Sequence, residues 1–278
     1  MFRAFVSSVV CLQFLSGCNA LSGPAATAQN SGATVKKSPD ERPQLLYVGS
    51  STVANFLQLA EPIYGKAKLL LDTVPESLGG ERIMQEGHAD LAGMACEPSE
   101  ETLDEGIRAE LIGTDALLVV VNATNPLTQL SLAQLKAIYT GKVKSWKELG
   151  GADELVRPFI MAPESATRRV FQTLALGEEA YVGCEVVRPD SRLTEMVESQ
   201  PGGIGVVSYS FLCSGGVVRV VRVGGQAALP DNRRYPLLRP LYLLWRPGKP
   251  AVEDFIAWLR SPQAQETIEK CFGAPLPR

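Results

Sequence analysis

The chain has a single histidine, His88, in 278 residues. That scarcity removes most of the usual metal-ligand sets and leaves a Ser-His-acid triad almost nothing to be built from. There is no Cys-x-x-Cys pair, no Gly-x-Ser-x-Gly elbow for a nucleophilic serine and no Gly-x-x-x-x-Gly-Lys-[Ser/Thr] loop for a nucleotide. Carboxylates are common but show no distinctive pairing. With 27 Lys and Arg against 30 Asp and Glu, the net charge is −3, so nothing draws the chain to nucleic acid or to an anionic membrane surface. After the first residues no apolar run approaches the roughly 20 residues needed to cross a bilayer. These absences point away from an enzyme, from a cofactor and from a membrane-spanning protein.

What is present begins at the N-terminus. One basic residue, Arg3, precedes a short apolar run from Phe5 to Leu15, followed by Leu15-Ser16-Gly17-Cys18. The run is too short for a transmembrane helix and has the length of a signal-peptide core. The Leu-Ser-Gly-Cys end resembles a bacterial lipobox, which would make residues 1–17 a signal peptide and Cys18 the lipidated first residue of the mature protein. An ordinary secretory signal is the alternative, and either one exports the chain. Residues 18–43 are rich in Ala, Ser, Gly, Thr and Pro. With little apolar surface to bury, they are expected to be a flexible tether. The expected location is the extracytoplasmic side of the bacterial envelope, lipid-anchored, as a monomer.

Four cysteines remain in the mature region, Cys96, Cys184, Cys213 and Cys271. In an oxidising compartment they permit two disulfides in three connectivities; buried free thiols are the other reading. From about Gln44 the pattern alternates. Short apolar runs at 45–48, 69–71, 90–94, 116–121, 204–207, 217–221 and 241–244 read as strands. Apolar residues at helical spacing read as helices, as in Val53, Phe56, Leu57 and Ala60, or Val252, Phe255, Ile256 and Leu259. Strand–helix alternation of this kind predicts an α/β protein with mostly parallel sheet.

Three strand-to-helix junctions carry hydroxyl residues: Ser50-Ser51-Thr52, Ser77 before Gly79-Gly80, and Ser165-Ala166-Thr167-Arg168. A helix N-terminus has unpaired N–H groups and the positive end of the dipole, so it favours anions, and a hydroxyl there adds a donor. Each junction taken singly is also what an ordinary N-cap looks like. Brought together, the three would form a cage for a small oxyanion.

The motifs carry a resemblance. Gly49-Ser50-Ser51-Thr52-Val53, Gly87-His88-Ala89-Asp90-Leu91 and Ile138-Tyr139-Thr140-Gly141-Lys142-Val143-Lys144-Ser145-Trp146 fall in order along the chain. Pro201-Gly202-Gly203-Ile204-Gly205 and Arg239-Pro240-Leu241-Tyr242 follow them. Together they resemble the phosphate-binding proteins of bacterial phosphate ABC transporters, in the type 2 periplasmic binding protein superfamily. The resemblance implies two α/β lobes with a ligand cleft between them. Lobe 1 would comprise 44–121 and 209–278, lobe 2 would comprise 122–208, and the crossovers would lie near 119–122 and 206–210. It implies phosphate or a similar small oxyanion as ligand and an ABC permease as partner. It carries Ser51, Thr52, the Val53 amide, Ser77, Ser165, Ala166, Thr167 and Arg168 over as ligand contacts.

The family's lobe-2 loop usually reads Arg-x-x-Gly-Ser-Gly-Thr, whereas here it is Met161-Ala162-Pro163-Glu164-Ser165-Ala166-Thr167. The anion-pairing Arg is Met161, and Glu164 and Ala166 replace the glycines. Glu164 is expected to set a carboxylate beside the cage and weaken phosphate binding, with Arg168 or Arg169 as replacement cations and Glu97 as a loosely aligned acidic acceptor. Met161→Arg with Glu164→Gly is then expected to strengthen it. A binding protein for another small ligand, or a ligand-silent interaction or sensor protein, is the alternative.

Overall fold

A computed structural model describes residues 41–214 and 217–274. The signal segment 1–17, the lipid attachment at Cys18 and the tether as far as residue 40 lie outside the described residues, as does the side chain of Cys213.

The strands are β1 (Gln44–Gly49), β2 (Lys68–Asp72), β3 (Leu91–Met94), β4 (Arg108–Asn122), β5 (Gln129–Leu130), β6 (Arg157–Met161), β7 (Glu185–Val187), β8 (Gly203–Ser208), β9 (Val218–Val223) and β10 (Leu238–Trp245). The α-helices are α1 (Ser51–Tyr64), α2 (Glu76–Gln85), α3 (Glu100–Asp104), α4 (Leu132–Tyr139), α5 (Ala166–Phe171), α6 (Leu193–Ser199), α7 (Pro250–Leu259) and α8 (Pro262–Cys271). The strands run in the order β2-β1-β3-β10-β4-β8-β6-β7, and β9 pairs with β4 and β5. The outer pairs β1–β2, β1–β3, β6–β8 and β6–β7 are parallel, as the alternation predicts. At the centre, β10 lies antiparallel to β3 and β4, and β4 antiparallel to β8.

Two separate apolar cores form along this sheet. The first joins Leu45, Tyr47, Phe56, Leu57, Met84, Leu91, Leu243 and Phe255. The second joins Leu117, Val119, Leu135, Tyr139, Trp146, Phe159, Ile204, Val221 and Leu237. On β4 the first core ends at Ile112 and the second begins at Ala116; on the return, the second ends at Leu237 and the first resumes at Leu241. The crossovers therefore lie at about 113–115 and 238–240, directly before the apolar runs 116–121 and 241–244, rather than near 119–122 and 206–210. The segment from β9 to Leu237 belongs to the second lobe rather than to the first. The reason is length: β4 is 15 residues long, and its polar first half, which carries no apolar run, pairs with β10 to bridge the lobes.

Local sequence sets the helix starts. Ser50 caps α1 by accepting from the Val53 amide at 3.4 Å, and Gly65 ends the helix at φ 67. α2 packs so close to the end of β1 that a Cβ on Gly80 would lie 2.5 Å from the Gly49 Cα. Cys96 and Cys184 are thiols in different lobes rather than members of a disulfide; burial pushes each up to about 11.

Candidate functional site

The N-termini of α1 and α2 in one lobe face that of α5 in the other. The centre of the gap holds a residue to which the sequence reading gave no role, Arg239 on β10. Its guanidinium is fully buried. Nη1 donates to Thr167 Oγ1 at 2.9 Å and Nη2 to Thr52 Oγ1 at 3.1 Å, so one cation ties a hydroxyl of each lobe. Its counter-ion is Asp115, also fully buried, whose Oδ2 accepts from Nε and lies 2.8 Å from Nη2. Burial pushes the Asp115 carboxyl up, while Arg239, Ser208 and the Tyr209 amide hold it down. Arginine keeps its charge at any ordinary pH, so the cation at this point is permanent.

The remaining expected residues fall around this point with distinct partners. Ser51 Oγ donates to Glu76 Oε2 at 3.3 Å. Ser77 Oγ, buried, accepts from the Ala95 amide at 3.2 Å. Ser165 does not cap α5; its hydroxyl donates to Asp190 Oδ2 at 2.5 Å, the length of a charge-assisted bond. Ala166 is buried against the core of the opposite lobe, and the Leu78 amide meets the Glu164 carbonyl at 3.4 Å across the gap. The Val53 amide is already engaged by Ser50.

Arg168 is not brought in. Its guanidinium donates to the Met161 carbonyl at 3.1 Å and lies 5.0 Å above the Tyr181 ring. Glu164 is not beside the cage either: its carboxylate pairs with Arg188 at 3.0 Å, half-exposed. The carboxylates that do face the site are Glu76 and Asp190, one from each lobe. Glu76 is the one non-glycine residue with positive φ among the described residues, at 52°, a conformation that costs about 1–3 kcal/mol and is typical of functional positions. Burial and then Asp190 push the Glu76 carboxyl up to about 8, against the pull of Ser51 and Arg239. Burial also raises Asp190, opposed by Ser165, Arg239 and Arg188.

Two of these omissions had a signal. Arg239 sits in the Arg-Pro-Leu-Tyr motif, and Asp115 is the charge placed directly before six apolar residues. Asp190 had none, because it comes into the site only when the chain folds back from the second core.

The arrangement suits a small tetrahedral anion. A hydroxyl that accepts from Arg239 still has its own hydrogen to donate, so Thr52 and Thr167 can bond an anion while the guanidinium beneath supplies the charge. No group of three His, Cys, Asp or Glu residues placed to hold a metal occurs among the described residues. His88 is exposed beside Glu86.

Comparison with known proteins bears on the family and the fold. The PBP superfamily domain matches residues 28–263. The chain is 30% identical over 175 residues to the phosphate-binding protein PstS of Bacillus subtilis, covering 59% of this chain and 57% of that one, little more than half the relative's length. It is 27% identical over 246 residues to protein SphX of Synechococcus elongatus, covering 79% and 73% of the two chains. A substrate-binding protein of Clostridium perfringens, crystallised with bound phosphate, superposes with a TM-score of 0.77 at 23% identity, over 84% of this chain and all of the other. With two α/β lobes meeting at a polar cleft and a match over most of its length, the chain belongs to the PBP superfamily, with the type 2 periplasmic binding protein fold.

Proposed function

We propose that this protein is an extracytoplasmic solute-binding protein that closes its lobes on a small oxyanion, phosphate, and delivers it to an ABC permease. The observation that carries the reading is the bridge Thr52–Arg239–Thr167. A buried cation is held between a hydroxyl of each lobe, at the starts of α1 and α5, in a chain similar to relatives named for phosphate binding. Arg239 takes the part that the family gives to the loop arginine, replaced here by Met161. Thr52, Thr167 and Ser77 line the anion, with Ser51, Ser165 and the backbone at Ala166 completing the cage; the Val53 amide stays with the Ser50 cap. Lipid attachment at Cys18 would keep the protein at the membrane beside its permease.

Thermal unfolding with added phosphate tests the reading, because a ligand that binds only the folded state stabilises it by about 2.7 kcal/mol at 100-fold excess over Kd. Phosphate is expected to raise the melting temperature of the wild type. Thr52→Val and Thr167→Val keep shape and lose the donor. Each is expected to weaken binding by about 1.5–3 kcal/mol, the worth of a hydrogen bond to a charged group. Absence of any shift at millimolar phosphate would refute the assignment.

A further inference from the structure

The two carboxylates facing the cage are each bonded to one of its serines, one couple per lobe. Ser51 Oγ meets Glu76 at 3.3 Å and Ser165 Oγ meets Asp190 at 2.5 Å. This has a consequence for anion binding. A hydroxyl has one hydrogen. While the carboxylate is ionised it can only accept, so the serine's hydrogen is committed to it, and the serine presents lone pairs to the cleft. Lone pairs repel an anion. If the carboxyl is protonated, it becomes the donor, the serine oxygen accepts, and the serine's own hydrogen turns free. The same atoms then serve as a donor to the ligand.

The charge balance points the same way. The single buried cation among the described residues, Arg239, is already paired with Asp115. Glu76 faces Ser51, the Tyr47 phenol, Arg239 and Asp190; Asp190 faces Ser165, Arg239, Arg188 and Glu76. Arg188 is itself shared with Glu164 at the surface. With both acids ionised, the closed cleft is net negative around an incoming anion.

Resting on the oxyanion reading above, we infer that Ser51–Glu76 and Ser165–Asp190 are proton-gated donors. Closure on an anion protonates the acids and reverses both hydrogen bonds, so binding takes up protons and weakens as pH rises. The step balances simply: one proton from solvent or from the ligand is added to each carboxylate that reverses, and no covalent bond other than O–H changes. The sign follows from where each state titrates. Parting the lobes would take Asp190 away from Glu76 and return water to both acids, so that Glu76 relaxes toward its ordinary 4.5; in the structure, burial and Asp190 hold it up to about 8. Affinity is therefore full below the lower value, falls by up to about tenfold per pH unit for each proton taken up between the two, and flattens above the upper one.

The test is calorimetric titration of inorganic phosphate into the folded protein across that range, for wild type, Glu76→Gln and Asp190→Asn. An amide donates permanently to its serine, as the protonated acid would. Both variants are expected to match the wild type near the low end and to bind at least about tenfold more tightly than it near pH 8. Phosphate's own titration cancels in the comparison. Titration in buffers of different ionisation heat should show fewer protons taken up by each variant. Sulfate, which does not titrate in this range, separates the proton sources: a proton drawn from solvent is taken up from the buffer with sulfate as with phosphate, whereas a proton passed from bound phosphate to a carboxylate adds nothing to the uptake from the buffer. A merely structural role for the acids would not give tighter binding at high pH. Identical pH slopes in wild type and variants would overturn the inference while leaving the phosphate site standing. No phosphate binding by any form at any pH would overturn both.

Discussion

Asp115 and Arg239 face each other directly in the antiparallel register of β4 and β10, at the two places where the chain crosses between lobes. The ion pair that supplies the cage with its cation is therefore also the joint of the hinge. A charge pair buried this completely is costly to break from one side, because the survivor is left unpaired in a low-dielectric interior. Arg239→Met is expected to abolish phosphate binding and to destabilise the protein by about 3–5 kcal/mol. Arg239→Met with Asp115→Asn should recover part of the stability and none of the binding. Calorimetric unfolding of the single and double variants checks this; additive losses would show that the two side chains act independently.

The loop substitutions separate. Because Glu164 lies at the surface on Arg188, Glu164→Gly removes an exposed pair worth at most ~1 kcal/mol. It is expected to change phosphate affinity by less than about fivefold, contrary to what its place in the sequence suggests. Met161 is buried, with its sulfur 3.6 Å from Ser165 Oγ. Met161→Arg would bring a guanidinium toward Asp190 and hold that acid ionised. Its effect on affinity is expected to depend on pH, favourable only where Asp190 would otherwise need a proton. Titrations of each single variant at two pH values distinguish the contributions.

Gly80 is set by packing rather than by chemistry. An added Cβ would lie 2.5 Å from Gly49 Cα and 2.9 Å from its nitrogen, and backbone cannot yield as a side chain can. Gly80→Ala is expected to cost about 1–3 kcal/mol, the usual penalty of overpacking. It should also displace the α2 start that carries Glu76 and Ser77, lowering both melting temperature and phosphate affinity. An unchanged melting temperature would mean that the β1–α2 contact is looser than this geometry.

Cys18→Ser tests the anchor. If the lipid on that sulfur is the attachment, the variant is recovered in the soluble fraction, since no helix among the described residues is long and apolar enough to cross a membrane. Retention of the variant in the membrane fraction would assign the attachment to another segment.

Much of this protein was fixed locally, and those parts were legible. The alternation of β-length apolar runs with helically spaced ones predicts an α/β fold, because strand and helix periods are properties of single segments. The hydroxyls at three helix starts were legible for the same reason. Thr52 follows the Ser50 cap of α1, and Ser77, Ser165 and Thr167 lie at the starts of α2 and α5. What the sequence could not decide was which side chains meet them. Arg239 lies 187 residues from Thr52 and 72 from Thr167, and Asp115 lies 124 from Arg239. Their meeting depends on the antiparallel pairing of β4 with β10 at the centre of a sheet whose outer pairs are parallel. The same long-range placement turned Glu164 outward and Arg168 back onto Tyr181, and brought Glu76 and Asp190 in. The sequence by itself determined the elements and the donors at their ends. The tertiary structure alone decided the charge of the cleft, because burial and pairing of ionisable groups arise only where distant segments pack together.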